Sequence, residues 1–209
     1  MSVKASSRGP ARRTGFNRTK MEQGIRLFLE GLGDAVSSRD LRETPKLVAR
    51  AFDEELLSGY ASGTMPGLSP LAEAPPDAMV VVRGIRFVSV CRHHLLPFQG
   101  TASVAYLPAR KLAGFSSMAR LVEALARRLQ IQEELSEQIL DALEKALAPR
   151  GCACLLEAAH QCMTCRGANQ RSSRVATLRL RGIFEKNGAR RREVVALLHP
   201  SVNGGRMSR

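Results

Sequence analysis

The sequence predicts an α+β domain, an antiparallel sheet with helices on one face behind an N-terminal helical extension. Three observations carry this. Residues 79–90 (MVVVRGIRFVSV) and 100–107 (GTASVAYL) are β-branched and partly alternating, as half-buried strands are. Leu121, Leu125 and Leu129 then recur every four residues within 116–130, and a second helical pattern covers 134–147. Strand-like runs return at 152–159 and 174–183. Two strands, two helices and two strands in that order favour an antiparallel sheet over a βαβ arrangement.

The elements follow from local signals. Residues 1–20 hold Lys4, Arg8, Arg12, Arg13, Arg18 and Lys20 with no acid, among Ser, Gly and Pro, and are expected to be a disordered basic tail. Residues 21–33 place Ile25, Leu29 and Leu32 on one helical face. Thr44-Pro45 signals a second helix start, an N-cap followed by Pro at the first helical position. That helix runs through Leu47, Val48, Ala51, Phe52 and Leu56 to Gly59. Residues 58–77 are rich in Gly and Pro and are expected to be loop. Pro149-Arg150-Gly151 ends the helix before the third strand, and a short basic helix near 189–198 leads into a Gly-rich end. The expected organisation is a tail over 1–20, one domain over 21–198 (helices 21–60, core 78–198), and a flexible tail over 199–209.

Composition narrows the function. The chain has 209 residues, 44% hydrophobic, enough for a sizeable core. It has no run of about 18 apolar residues, which argues against a membrane span. The basic start lacks the apolar segment of a secretory signal. The net charge of +13 calls for an anionic partner such as nucleic acid, a membrane surface or a phosphorylated small molecule. Aromatic residues make up 4% with no Trp, which weakens a nucleic-acid reading built on base stacking; the tail is left as a source of nonspecific contact. Five cysteines, an odd number without a signal peptide, point to a reducing cytoplasm and to metal or catalytic use rather than a disulfide scaffold. Cys152 and Cys154 alternate within the apolar CACLLEA and are expected to be small core residues.

Two clusters carry metal chemistry. Cys91-Arg92-His93-His94 offers a thiolate and an imidazole at a spacing that reaches one ion from a turn. His160-Gln161-Cys162-Met163-Thr164-Cys165 offers a second set at the end of a predicted strand. Spacing alone allows a closed structural Cys3His site of Cys91, His94, Cys162 and Cys165. It also allows an open three-ligand zinc site that activates water. His93 and His160 favour the open site, because hydrolysis needs proton carriers and a structural zinc does not. Further along, Arg127-Arg128-Leu129-Gln130-Ile131-Gln132-Glu133 places an amide and a carboxylate at a helix junction, able to read a purine edge. Arg120 and Arg166 are candidate phosphate clamps.

Five ordered motifs then coincide: CxHHLxPFxG (91–100), YLP (106–108), GxSxxAR (114–120), RRLQxQE (127–133) and EAxHxCMxxRG (157–167), with RETPKLVARAFDEELLSGY upstream. Together they resemble the GTP cyclohydrolase I family over about residues 21–198. The resemblance implies the tunnelling fold and a toroidal homodecamer with interfacial active sites. It implies Zn²⁺ held by Cys91, His94 and Cys162, with Cys165 outside the ligand set, and His93 and His160 as proton carriers. Gln132 and Glu133 would hold the guanine edge, and Ser116, Arg120 and Arg166 the sugar and phosphates. The implied reaction is hydrolytic opening of the guanine imidazole ring of GTP, with loss of formate and formation of 7,8-dihydroneopterin triphosphate.

Three positions depart from the family pattern. Arg92 replaces the acid of Cys-Glu-His-His, Ser117 replaces a lysine after Ser116, and Leu47 replaces the arginine of TPxR. Two lost cations predict weakened triphosphate binding, since each charge-assisted contact is worth roughly 1.5–3 kcal/mol. Arg92 and Lys46 are the candidates to compensate. The alternative expectation is a specialised paralogue acting on a guanine derivative with fewer or no phosphates. A lesser alternative is a non-catalytic ring-forming binding protein.

Overall fold

The computed structural model describes residues 15–33, 41–61, 67–68, 70–75 and 77–199. The chain divides into two compact units, residues 1–64 and 65–209. The first expected tail lies outside the described residues up to position 14, and positions 200–209 of the second lie outside as well.

In the first unit, helix α1 (Arg18–Glu30) begins inside the expected tail, because Asn17 caps it: its side chain accepts from the Lys20 amide at 2.9 Å. Arg18 is tied to Asp53 and Glu54 rather than left as a tail charge. Helix α2 (Thr44–Ala51) starts where Thr44-Pro45 predicts, with the buried Pro45 in its first turn, and its last turn widens into a π-helical segment over Phe52–Leu56. The α1 face of Ile25 and Leu29 is half-buried, while Leu27 and Phe28 are exposed.

The second unit is built on a five-stranded sheet. Strands β2 (Val80–Cys91), β3 (Pro97–Leu107), β6 (Gly151–His160) and β7 (Val175–Gly182) pair antiparallel in that spatial order. A two-residue strand, β5 (Leu129–Gln130), joins the β2 edge in parallel. The expected all-loop region holds a strand, β1 (Pro70–Glu73), paired with β4 (Lys111–Ala113). Its partner lies about 40 residues away, so local composition could not reveal it.

Helices α3 (Phe115–Ala126) and α4 (Gln132–Leu147) cover one face, as expected, and bury Phe87, Phe98, Val104, Tyr106, Cys154 and Leu156 beneath them. Cys152 and Cys154 are both fully buried on that face. Burial pushes the Cys152 thiol up to about 12, and the Cys154 thiol is raised further by the same cause. Both are therefore inert core residues. The opposite face is not left bare. Ala105, Leu107, Ala153 and Leu155 pack under Phe184, Val194 and Leu198, from the short helix α6 (Ile183–Lys186) and from α7 (Gly188–Leu198). The reason is in the strands: 104–107 and 152–156 are apolar at consecutive positions, so both faces need cover at that end.

The last glycine of the CxHHLxPFxG motif has a packing cause. A Cβ on Gly100 would lie 1.9 Å from the Glu157 carbonyl oxygen, so β3 and β6 meet this closely only without a side chain there. That approach brings the ends of β2, β3 and β6 together, and the chemistry-bearing residues sit on those ends.

Candidate metal centre and its surroundings

Cys91 is the last residue of β2. The following turn is closed by two backbone hydrogen bonds, Leu95 N–H to Cys91 O and Cys91 N–H to Leu96 O, each 2.9 Å, with Leu95 at φ +54°. The Arg92 amide donates to Gln130 O at 3.1 Å, which seats the turn on β5. This geometry folds His94 back so that its Nδ1 lies 3.6 Å from Cys91 Sγ. On the other side, β6 ends at His160 and the chain turns at once into the short helix α5 (Gln161–Thr164), which presents Cys162. The donor atoms of Cys91, His94 and Cys162 all lie within 4.8 Å of one another.

This donor set fits zinc. Two thiolates and an imidazole are its preferred ligands, and bond lengths of about 2.3 Å to sulfur and 2.0–2.1 Å to nitrogen put neighbouring tetrahedral ligands about 3.6 Å apart. Three protein ligands leave a position open. Burial and the nearby Cys91 sulfur raise the Cys162 thiol, while Arg166 works in the opposite sense. Two sulfurs crowded together are costly as thiolates unless a cation lies between them. Cys165 stands outside the convergent group: it is exposed and its thiol donates to Gln161 O at 2.9 Å.

His160 is the second feature. Its ring stacks on Phe98, which is fully buried, at a centroid separation of 4.4 Å and 7° between planes. Its Nε2 lies 2.8 Å from Gln132 Oε1. Gln132 is 1% exposed, and its amide nitrogen faces Val175 O and Thr177 Oγ1 at 3.0 Å and Leu156 O at 3.3 Å. Carbonyl oxygens only accept, so the NH₂ group must point at the sheet and the oxygen at His160. His160 Nε2 is therefore the donor. In the neutral ring Nδ1 is left as the basic nitrogen. Burial lowers the His160 pKa below the ordinary histidine value, and Glu133 pulls in the other direction.

The remaining predicted residues fall as follows. His93 is exposed beside His94, with ring centroids 6.2 Å apart and nearly perpendicular. Glu133 is exposed in the first turn of α4. Ser116 and Arg120 are exposed on α3, and Arg166 is exposed after α5; among the described residues neither Ser116 nor Arg120 has a hydrogen-bond or ion-pair partner. Gln132 does not share their exposure, because its amide is buried and engaged by the sheet and His160.

Of the departures, Arg92 grips Glu134 with both guanidinium nitrogens. Ser117 is buried with its hydroxyl donated to Gly114 O at 2.6 Å. Leu47 is 51% exposed. Sequence reasoning missed Phe98, Glu134 and Thr177. Phe98 lay in a quoted motif without a role; Thr177 lies 45 positions from Gln132 and carried no local signal.

Among the described residues no helix is long and apolar enough to cross a membrane. A sequence model of the GTP cyclohydrolase I family matches residues 21–199. A GTP cyclohydrolase 1 from Pelotomaculum thermopropionicum is 41% identical over 184 residues, covering 88% of this chain and 97% of that protein. One from Desulforamulus reducens is 40% identical over 187 residues, covering 89% and 100%. One from Sulfurihydrogenibium is 42% identical over 184 residues, covering 88% and 96%.

Proposed function

Because the chain belongs to the GTP cyclohydrolase I family, we propose that it opens the imidazole ring of guanine in GTP, releases C8 as formate and forms 7,8-dihydroneopterin triphosphate. The observation that carries this reading is the convergence of Cys91, His94 and Cys162 at strand ends shared with His160. Cys91, His94 and Cys162 would hold zinc, which when bound supplies the Lewis acidity that makes water a nucleophile near neutral pH.

The chain's own groups divide the rest of the work. His160 has its Nε2 proton committed to Gln132, so Nδ1 is the atom that takes up and returns a proton as the C8–N bonds break. The stack on Phe98 and the bond to Gln132 hold the ring in one orientation. His93, exposed, exchanges protons with water. The Glu133 carboxylate accepts from guanine N1–H and the 2-amino group. Gln132 is assigned to positioning His160, with its place in guanine binding limited by its burial. Ser116, Arg120 and Arg166 would hold the ribose and phosphates. In this reading the enzyme is cytoplasmic and works as a toroidal decamer of the family type, with sites shared between subunits.

Incubation of the zinc-loaded protein with GTP, GDP, GMP and guanosine, followed by formate assay and product mass, tests the proposal. GTP should be turned over with one formate per product. Bound zinc with no formate from any guanine compound would favour the non-catalytic reading.

A second reading is favoured by specific contacts. Arg92, the cation nearest the metal turn that might have replaced the lost ones, is occupied by Glu134. Leu47 and Ser117 supply no charge. A specialised paralogue using a guanine derivative with fewer phosphates predicts that GMP or guanosine outperforms GTP in the same panel.

A further inference from the structure

The two faces of the central strands differ in chemistry. Phe87, Phe98 and Ala102 turn toward α3 and α4. Side chains alternate along a strand, so Arg86, Gln99 and Thr101 belong to the opposite face, with Arg86 paired to Thr101 in register. A cavity of about 560 Å³ is lined by Arg86, Gln99, Thr101, Glu123, Arg127 and Arg174. Its size is that of a site for a small molecule.

Three guanidinium groups meet one carboxylate here. Arg127 donates to Glu123 at 3.1 Å. Arg174 donates only to a neutral acceptor, the Glu157 carbonyl, at 3.3 Å. Arg86 has no hydrogen-bond or ion-pair partner among the described residues and is exposed. The lining therefore carries two positive charges in excess, three arginines against one glutamate. A concave site focuses such a field on its interior. None of these arginines belongs to the residues assigned to the metal centre or to the substrate.

We propose that this cavity binds a multiply phosphorylated small molecule at a second site, separate from the metal centre. Guanidinium forks match phosphate oxygens in pairs, and Gln99 and Thr101 add neutral donors at the same wall. A nucleic-acid strand fits less well, because the cations ring a cavity rather than forming a stripe and no aromatic side chain is exposed among them. The inference does not depend on the activity proposed above.

Calorimetric titration of the full chain with inorganic tripolyphosphate tests it. Arg120→Ala/Arg166→Ala removes the cations assigned to the substrate's phosphates, and tripolyphosphate should still bind. Adding Arg86→Ala/Arg174→Ala should weaken that binding roughly ten- to a hundredfold, as expected for two lost charge-assisted contacts. In the otherwise unaltered chain, Arg86→Ala/Arg174→Ala should keep zinc content and formate release within about twofold, consistent with surface substitutions away from the metal centre. Loss of binding in Arg120→Ala/Arg166→Ala alone overturns the proposal, since one site then explains all of it. Unchanged binding after Arg86→Ala/Arg174→Ala overturns it equally. So does a change of oligomeric mass in that variant, which would mean that a second copy of the chain covers the cavity.

Discussion

Gln132 and His160 form one hydrogen-bonded unit, 2.8 Å between amide oxygen and ring nitrogen, with the amide held from behind by β6 and β7. The sheet sets the amide, the amide sets the imidazole tautomer, and the tautomer decides which nitrogen faces the reaction. Gln132→Ala should lower kcat about ten- to a hundredfold, the scale of a displaced proton carrier, while KM moves little. It should also cost about 1–3 kcal/mol of stability, because the carbonyls and the Thr177 hydroxyl behind it lose their donor. Steady-state kinetics and denaturant unfolding measure the two effects separately.

The burial of His160 has a pH consequence. Its folded-state pKa lies below the unfolded value near 6.5, so the unfolded chain takes up the proton first as pH falls. Stability contributed by the neutral ring is full above about pH 6.5 and is lost as pH drops from there toward the folded pKa. Thermal melts of the chain and of His160→Gln should therefore diverge least below the folded pKa and reach their full, constant difference above about pH 6.5. A constant difference at all pH values would contradict the burial effect.

Removing the metal should destabilise the fold around the turn after β2. Chelation is expected to abolish formate release and lower Tm, with both restored by zinc, because binding free energy at such a site is also folding free energy. Cys91→Ser should reduce zinc content below one per chain, whereas Cys165→Ser should leave it unchanged, since Cys165 donates to Gln161 O outside the ligand group. Elemental analysis of the purified variants decides it.

Leu47 is half exposed where the family pattern has an arginine. Leu47→Arg should improve kcat/KM for GTP relative to guanosine about tenfold, the value of one charge-assisted phosphate contact. If the ratio does not change, the lost cation at 47 has no bearing on substrate choice. The corresponding change at Ser117 is a poorer test, because that side chain is buried and bonded to Gly114 O.

Ala148 ends α4 at φ +44°, in the left-handed region that disfavours a side chain. Ala148→Gly should stabilise the protein by about 1 kcal/mol, the order of the penalty an L-residue meets there. Activity should not change. Urea unfolding with an unaltered m-value would confirm a native-state effect.

The strands, both core helices and the metal-ligating residues were legible because each has a local signal. Alternation marks β2 and β3, a four-residue repeat marks α3, and thiol and imidazole residues are rare enough to stand out. The family's ordered motifs supplied the α+β tunnelling fold and the guanine chemistry. Other features had no local signal. The β1–β4 pairing joins segments about 40 residues apart, and α6 and α7 are needed only because two runs turn out to be apolar on both faces.

The same division runs through the site. The sequence by itself determined which groups are present: the three metal ligands, the two extra histidines, and the loss of cations at 47 and 117. Only the tertiary structure decided what each group is free to do. Gln132 is committed to His160 and the sheet, Arg92 is neutralised by Glu134, and Cys165 is left outside the donor set. The physical reason is that a side chain's chemistry is inherited from its type, but its availability depends on burial and on partners. Those partners come from strands and helices tens of residues away.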